Sequence, residues 1–192
     1  NVPGNAMDAT TEKLVDYAIN VRYDSLPAST VEACKLRILD TLGCVAGGYD
    51  HPVSVAARTL AARYRMDRPA TLLGSRARVA PEMAAFANGV MLRVLDLSDM
   101  YRVKSGGHPS DNFTPVLTLG DAFHVNGKEL IVSAVLAYEV MCRVGDQIDF
   151  GVKGIDHATT GAMSCVMGAS RILRLPKEQV AQALNLAIAP NV

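Results

Sequence analysis

The stretch Leu130 to Val144 is the longest apolar run in the chain, and it reads as a helix buried on most sides. A helix that is apolar around most of its circumference needs other elements packed around it. The side chains available for those neighbours are small. Nearly half of the 192 residues are hydrophobic (49%), alanine, valine and leucine dominate, and tryptophan is absent. Small side chains let helices pack closely, and a chain of this length can enclose one sizeable core. The expectation is an all-α helical bundle domain.

The remaining helices follow from spacing and punctuation. Asp8 or Thr10 can cap a first helix carrying Leu14, Val15, Ala18 and Ile19. Leu26-Pro27 breaks it. Ser29 is placed to cap a second helix, with Val31, Cys34, Leu36, Ile38, Leu39 and Leu42. Gly47-Gly48 ends that helix where a left-handed residue is usual. Pro52 opens a third, amphipathic helix, and residues 70–79 predict a short β-hairpin. Pro81 begins a helix to about Leu95, and another runs from Thr114 to Phe123. Asn126-Gly127 reads as a turn before the Leu130–Val144 helix. A Gly- and Asp-rich loop over 145–156 leads into a helix over 157–173, whose small residues allow close approach to a neighbour, and Pro176 starts the last helix. Residues 1–9 are expected to form a flexible leader. Residues 10–192 are expected to be the N-terminal part of a large helical domain, in a chain that stops early.

Several function classes lose support at this level. Lys+Arg and Asp+Glu both total 19, so no net field attracts nucleic acid or an acidic membrane. No apolar run is long enough to span a bilayer, and no signal peptide is apparent. A cytoplasmic protein without nucleic-acid or membrane partners is expected. Cys34, Cys44, Cys142 and Cys165 form no CxxC pair and read as buried, reduced thiols rather than cluster ligands. No two histidines have zinc-motif spacing, so no metal is expected. His51 and His124 lack polar company and read as surface or packing residues.

Two loops carry the chemistry. The first holds Asp96-Leu97-Ser98-Asp99 and Gly107-His108-Pro109-Ser110-Asp111-Asn112; the second holds Gly154-Ile155-Asp156-His157. Carboxylates and titratable imidazoles on loops held by rigid flanks suit proton transfer. At a helix end, Asp96 and Asp99 would share a face, and their repulsion would raise one pKa. Ser110 can cap the following helix, whose N-terminus could receive a substrate carboxylate. Arg93, Arg102 and Lys104 lie close in sequence and are cations of the kind a polycarboxylate needs. Each feature also has a plain structural reading: helix termination, helix capping or a solvated charge.

These segments together resemble the MmgE/PrpD family. The resemblance is carried by Pro81-Glu82-Met83-Ala84-Ala85-Phe86-Ala87-Asn88-Gly89, Leu95 to Asp99, Gly107 to Asn112, Ala137-Tyr138-Glu139-Val140, Gly154 to His157, and Gly168 to Leu175 with Pro176. It covers the chain from about residue 10 onward. The twelve-residue step from Asp96 to His108 and the Gly-His-Pro-Ser-Asp-Asn wording look most like the branch that dehydrates 2-methylcitrate. Ser98 and Met100 depart from the family's usual Asp or Asn and its usual Thr.

The resemblance implies a cofactor-free lyase acting on a small tricarboxylate, built as a homodimer. It places catalysis on Asp96, His108 and His157, with the histidines as base and acid and Asp96 orienting one imidazole. Asp99, Lys104 and Ser110 are the residues expected to bind substrate. It also implies a catalytic lysine and a small α/β domain beyond residue 192, so that the isolated chain would have little activity. Decarboxylation of cis-aconitate and epimerisation of a dicarboxylate are alternatives on the same scaffold. A non-catalytic helical interaction module is the alternative of another class.

Overall fold

The computed structural model describes residues 7–102 and 104–191. Its axis is the apolar helix expected at 130–144, which runs longer than the apolar stretch, as α6 (Gly127–Gln147). The added turn comes from Asn126. The asparagine does not close a turn; its Oδ1 accepts the Glu129 N–H at 3.0 Å and caps the helix. Val132, Ala134, Leu136 and Ala137 of α6 are fully buried.

The other helices are α1 (Ala9–Asn20), α2 (Ala28–Gly47), α3 (Pro52–Ala61), α4 (Pro81–Arg93), α5 (Phe113–Ala122), α7 (Ala158–Leu173) and α8 (Lys177–Ile188); α2, α5 and α7 pack on α6, whereas α4 packs on α2 and α5 and carries α3 on its far side. The domain is all-α apart from the expected hairpin. There β1 (Ala70–Thr71) pairs antiparallel with β2 (Arg78–Val79), in a register that puts Ala70 opposite Val79. Helix α7 packs most extensively on α6. Gly168 makes that approach possible: a Cβ there would sit 2.8 Å from the Ser133 carbonyl oxygen and 3.0 Å from Ala137 Cβ. Helices α1 and α8 close one end of the bundle, where Val15, Ala18, Val180, Ala181 and Leu184 join Leu136 and Met167 in one core. Lys177 reaches across to Asp16 at 2.6 Å.

Several helix ends differ from expectation. Asp8 is the cap of α1, its Oδ1 accepting from Thr10 and Thr11 N–H. Of the leader expected over 1–9, residues 1–6 lie outside the described residues, whereas Asp8 caps and Ala9 opens α1. Ser29 does not cap α2. Pro27 holds the N-cap position, and its carbonyl accepts the Thr30 and Val31 N–H groups. Gly48 closes α2 at φ −83°, a right-handed value. It is needed for space rather than handedness, because a Cβ there would fall 2.2 Å from the Met91 carbonyl oxygen. His51 has polar company after all: its Nδ1 accepts the Val53 N–H and caps α3. His124 follows α5 at φ 51°.

Cys34 is buried and the other three cysteines are half-buried free thiols. Burial pushes Cys34 and Cys165 up to about 11 and Cys142 up to about 12, so all three stay protonated at neutral pH. Among the described residues, no helix is long and apolar enough to cross a membrane.

Candidate active site

Helix α4 ends at Arg93 and the chain turns sharply at Asp96, which sits at φ 52°. That left-handed turn separates the two aspartates, so they do not share a face. Asp96 is 76% exposed and pairs with Arg93 at 2.8 Å, while Asp99 folds inward. The loop then closes on itself through paired backbone bonds between Tyr101 and Gly107, 2.9 and 3.1 Å long. Lys104 and Arg102 lie exposed on it; Val103 between them is outside the described residues. Ser105 fastens the loop to its neighbours. Its N–H donates to the Gly145 carbonyl at the end of α6, and its Oγ accepts the Phe150 N–H, both at 3.1 Å.

The closed loop delivers His108 to the head of a 3₁₀ turn, Pro109–Asn112, ahead of α5. His108 is 8% exposed. Its Nδ1 lies 2.7 Å from the Asp99 backbone carbonyl oxygen. A carbonyl only accepts, so Nδ1 carries the proton and Nε2 of the neutral ring is bare. The Asp99 carboxylate is engaged on both oxygens: Oδ1 accepts the Ser110 N–H at 3.1 Å and Oδ2 accepts the Tyr138 hydroxyl at 2.6 Å. Ser110 is thus not the cap of α5. It is buried inside the 3₁₀ turn, with its Oγ unbonded.

His157 comes from the second loop and stands at the start of α7, with its ring centroid 5.9 Å from that of His108 and the two planes inclined at 62°. Its Nδ1 lies 3.3 Å from Asp156 Oδ1, an oxygen that also accepts the Ala158 N–H. Gly107 makes room for this meeting. A Cβ on Gly107 would lie 2.7 Å from Met141 Cε and 3.2 Å from His157 Cδ2. Asn112 ties the floor together, donating to the Pro109 carbonyl and to Met141 Sδ and accepting from Ser164 Oγ.

A further carboxyl joins the site. Asp111 Oδ1 is buried, makes no hydrogen bond, and lies 3.5 Å from Arg93 Nε as an ion pair. Burial, foremost, pushes the Asp111 carboxyl above its ordinary value; Arg93 and His108 pull the other way, and Asp99 adds to the rise. The structure therefore brings His108, His157, Asp99, Asp111 and Arg93 together. Asp96 reaches the group only through Arg93, which bridges it to Asp111. Tyr138 and Asp111 are functional candidates that sequence reasoning missed. Asp111 had a signal, a carboxyl beside His-Pro-Ser; Tyr138 lies in a segment that carries the family resemblance, but only the rotation of α6 aims it at Asp99. Among the described residues, no three His, Cys, Asp or Glu side chains form a metal-binding set.

Fold and site define a helical domain that assembles two imidazoles, two carboxyls and a guanidinium from loops far apart in sequence. The chain belongs to the MmgE/PrpD family: residues 12–192 match the MmgE/PrpD N-terminal domain. It is 27% identical to the 2-methylcitrate dehydratase of Escherichia coli (strain K12), over 91% of this chain and 38% of that protein. It is 26% identical to the 2-methylcitrate dehydratase of Cupriavidus necator, over 94% of this chain and 39% of that one. To the probable 2-methylcitrate dehydratase of Saccharomyces cerevisiae (strain ATCC 204508 / S288c) it is 29% identical, over 91% and 37% respectively. The chain thus spans less than two fifths of the length of these curated relatives.

Proposed function

We propose that this chain forms the histidine-bearing part of a hydro-lyase that dehydrates 2-methylcitrate or a related tricarboxylate. The observation that carries the reading is the edge-on pair of His108 and His157, 5.9 Å apart. Dehydration of such a substrate removes a weakly acidic proton beside a carboxylate and expels the β-hydroxyl. One group must take the proton and another must protonate the departing oxygen. His108 offers a bare Nε2 lone pair, fixed by the Asp99 carbonyl, and suits the base. His157 has the Asp156 carboxylate at its Nδ1 to support a positive ring, and suits the acid. Arg93, half-buried between Asp96 and Asp111, is the cation best placed to meet a substrate carboxylate as negative charge develops. Asp96 serves this reading as the partner that orients Arg93. Lys104, exposed on the loop, remains a candidate substrate contact. The names of the curated relatives support the same chemistry and the same substrate. A homodimer goes with the reading; Leu36 and Leu39, each 66% exposed on α2, are its supporting observation.

The test uses the full-length protein, with 2-methylcitrate and cis-aconitate offered in turn. Unsaturated product from 2-methylcitrate is expected. His108→Gln and His157→Gln should each lower turnover by roughly 10²-fold or more. Wild-type turnover in both variants would overturn the assignment of the pair. Carbon dioxide released from cis-aconitate, with no dehydration of 2-methylcitrate, would overturn the reaction and point to decarboxylation.

A further inference from the structure

Tyr138 lies on α6, 30 residues beyond His108, and has no place in the acid–base assignment above. Its hydroxyl nevertheless makes one of the shortest side-chain contacts behind the site, donating to Asp99 Oδ2 at 2.6 Å. Its ring is stacked on Phe113 with centroids 5.6 Å apart, so the hydroxyl is held in place rather than free to swing. The remaining Asp99 oxygen is held by the Ser110 N–H at 3.1 Å. Asp99 is therefore clamped from α6 on one side and from the 3₁₀ turn on the other. What the clamp fixes is the Asp99 backbone carbonyl, 2.7 Å from His108 Nδ1.

We propose that Tyr138 is a positioning residue for His108: it locks the Asp99 carboxylate, and through it the carbonyl that decides which ring nitrogen of His108 is bare. This rests on the reading of His108 as a proton-transfer group. Tyr138 touches no reacting atom. Its effect passes through the Asp99 backbone, and it works because a tyrosine hydroxyl can only donate to an ionised carboxylate. Burial, reinforced by the Asp99 hydrogen bond, pushes the Tyr138 hydroxyl well above its ordinary value, so it remains a donor across the range in which histidines titrate. The charged and titratable groups around His108 are Asp99 on its own loop, Asp111 in the 3₁₀ turn, Arg93 at the end of α4, His157 at the head of α7 and Tyr138 on α6. Arg37 on α2 and Cys142 on α6 lie near Tyr138 itself. Tyr138→Phe removes one oxygen from this set and leaves the stack on Phe113 intact.

The experiment compares full-length wild type and Tyr138→Phe by steady-state kinetics across pH and by solid-state ¹⁵N NMR of histidine-labelled protein, with the His108 signals assigned through His108→Gln. The wild type should show His108 with Nδ1 protonated and Nε2 bare. In Tyr138→Phe, a second His108 tautomer should appear, the pH midpoint of the His108 signal should shift, and kcat should fall roughly 10- to 100-fold with KM within about twofold. An unchanged His108 tautomer and midpoint would overturn the proposal, whatever happens to turnover. If His108→Gln keeps wild-type turnover, the reading of His108 as a catalytic group fails, while the spectra still decide whether Tyr138 sets its tautomer. Should Tyr138→Phe fail to fold, Asp99→Ala, which removes both carboxylate oxygens and so breaks the same clamp from the other side, must give the same spectral change for the proposal to stand.

Discussion

At the scale of single residues, the site is governed by what each carboxyl is allowed to do. Asp99 has both oxygens occupied and presents its backbone carbonyl to His108. Asp111 has a buried oxygen with an ion-pair partner but no hydrogen bond, and it holds its proton to a higher pH in the fold than in the unfolded chain, where it titrates near 3.8. The stability tied to that proton is fully present below the unfolded value and declines as pH rises through the folded one, because the fold then binds more protons than the unfolded chain. Asp111→Asn cannot titrate. The difference in Tm between variant and wild type should therefore move in the variant's favour as pH rises through the mildly acid range and then level off, as measured by thermal unfolding at a series of pH values. A difference that stays flat with pH would contradict the raised carboxyl. His108 and His157 were legible in the sequence because Gly-His-Pro and Asp-His at helix starts are visible in one dimension. The partners of those rings were not. The resemblance implied Asp96 as the orienting carboxylate, yet its left-handed backbone turns it to Arg93 and solvent, and Tyr138 reaches Asp99 from a helix whose rotation no local pattern states.

At the scale of helices, periodicity and proline placement carried most of the information. The apolar spacing located all eight helices of the described residues, and the hairpin at 70–79 is present. Helix ends were harder to read, because side chains compete for them in ways that depend on neighbours. Asn126 became a cap rather than a turn, Pro27 took the place expected for Ser29, and Ser110 was consumed by a 3₁₀ turn. Glycines inside helices show the same dependence on context. Gly168 in α7 and Gly43 in α2 look alike in sequence, but a Cβ on Gly168 would strike the Ser133 carbonyl at 2.8 Å and one on Gly43 would meet nothing within 4 Å. Gly168→Ala should cost about 1–3 kcal/mol through the strain of prising α7 from α6. Gly43→Ala should gain about 0.5–1 kcal/mol from helix propensity. Denaturant unfolding of both variants checks the pair; equal effects of one sign would mean that α6 and α7 do not touch as closely as described.

At the scale of the whole domain, the bundle holds together two stretches of chain that sequence places 49 positions apart, at His108 and His157. Convergence of this kind is set by packing between distant segments, so the sequence could name the two loops but not show that they meet. Ser105 is the stitch between them, bonded to Gly145 on one side and Phe150 on the other. Ser105→Ala removes the acceptor for the Phe150 amide. Hydrogen exchange should then quicken at Phe150 and along 148–157, with the bundle helices unchanged. Unaltered exchange in that segment would mean that the two loops are independent. A stitch at this point ties the loops that carry His108 and His157 into a single mechanical part. A breathing motion that carries one imidazole away should then carry the other with it, so that the pair opens and closes as one body.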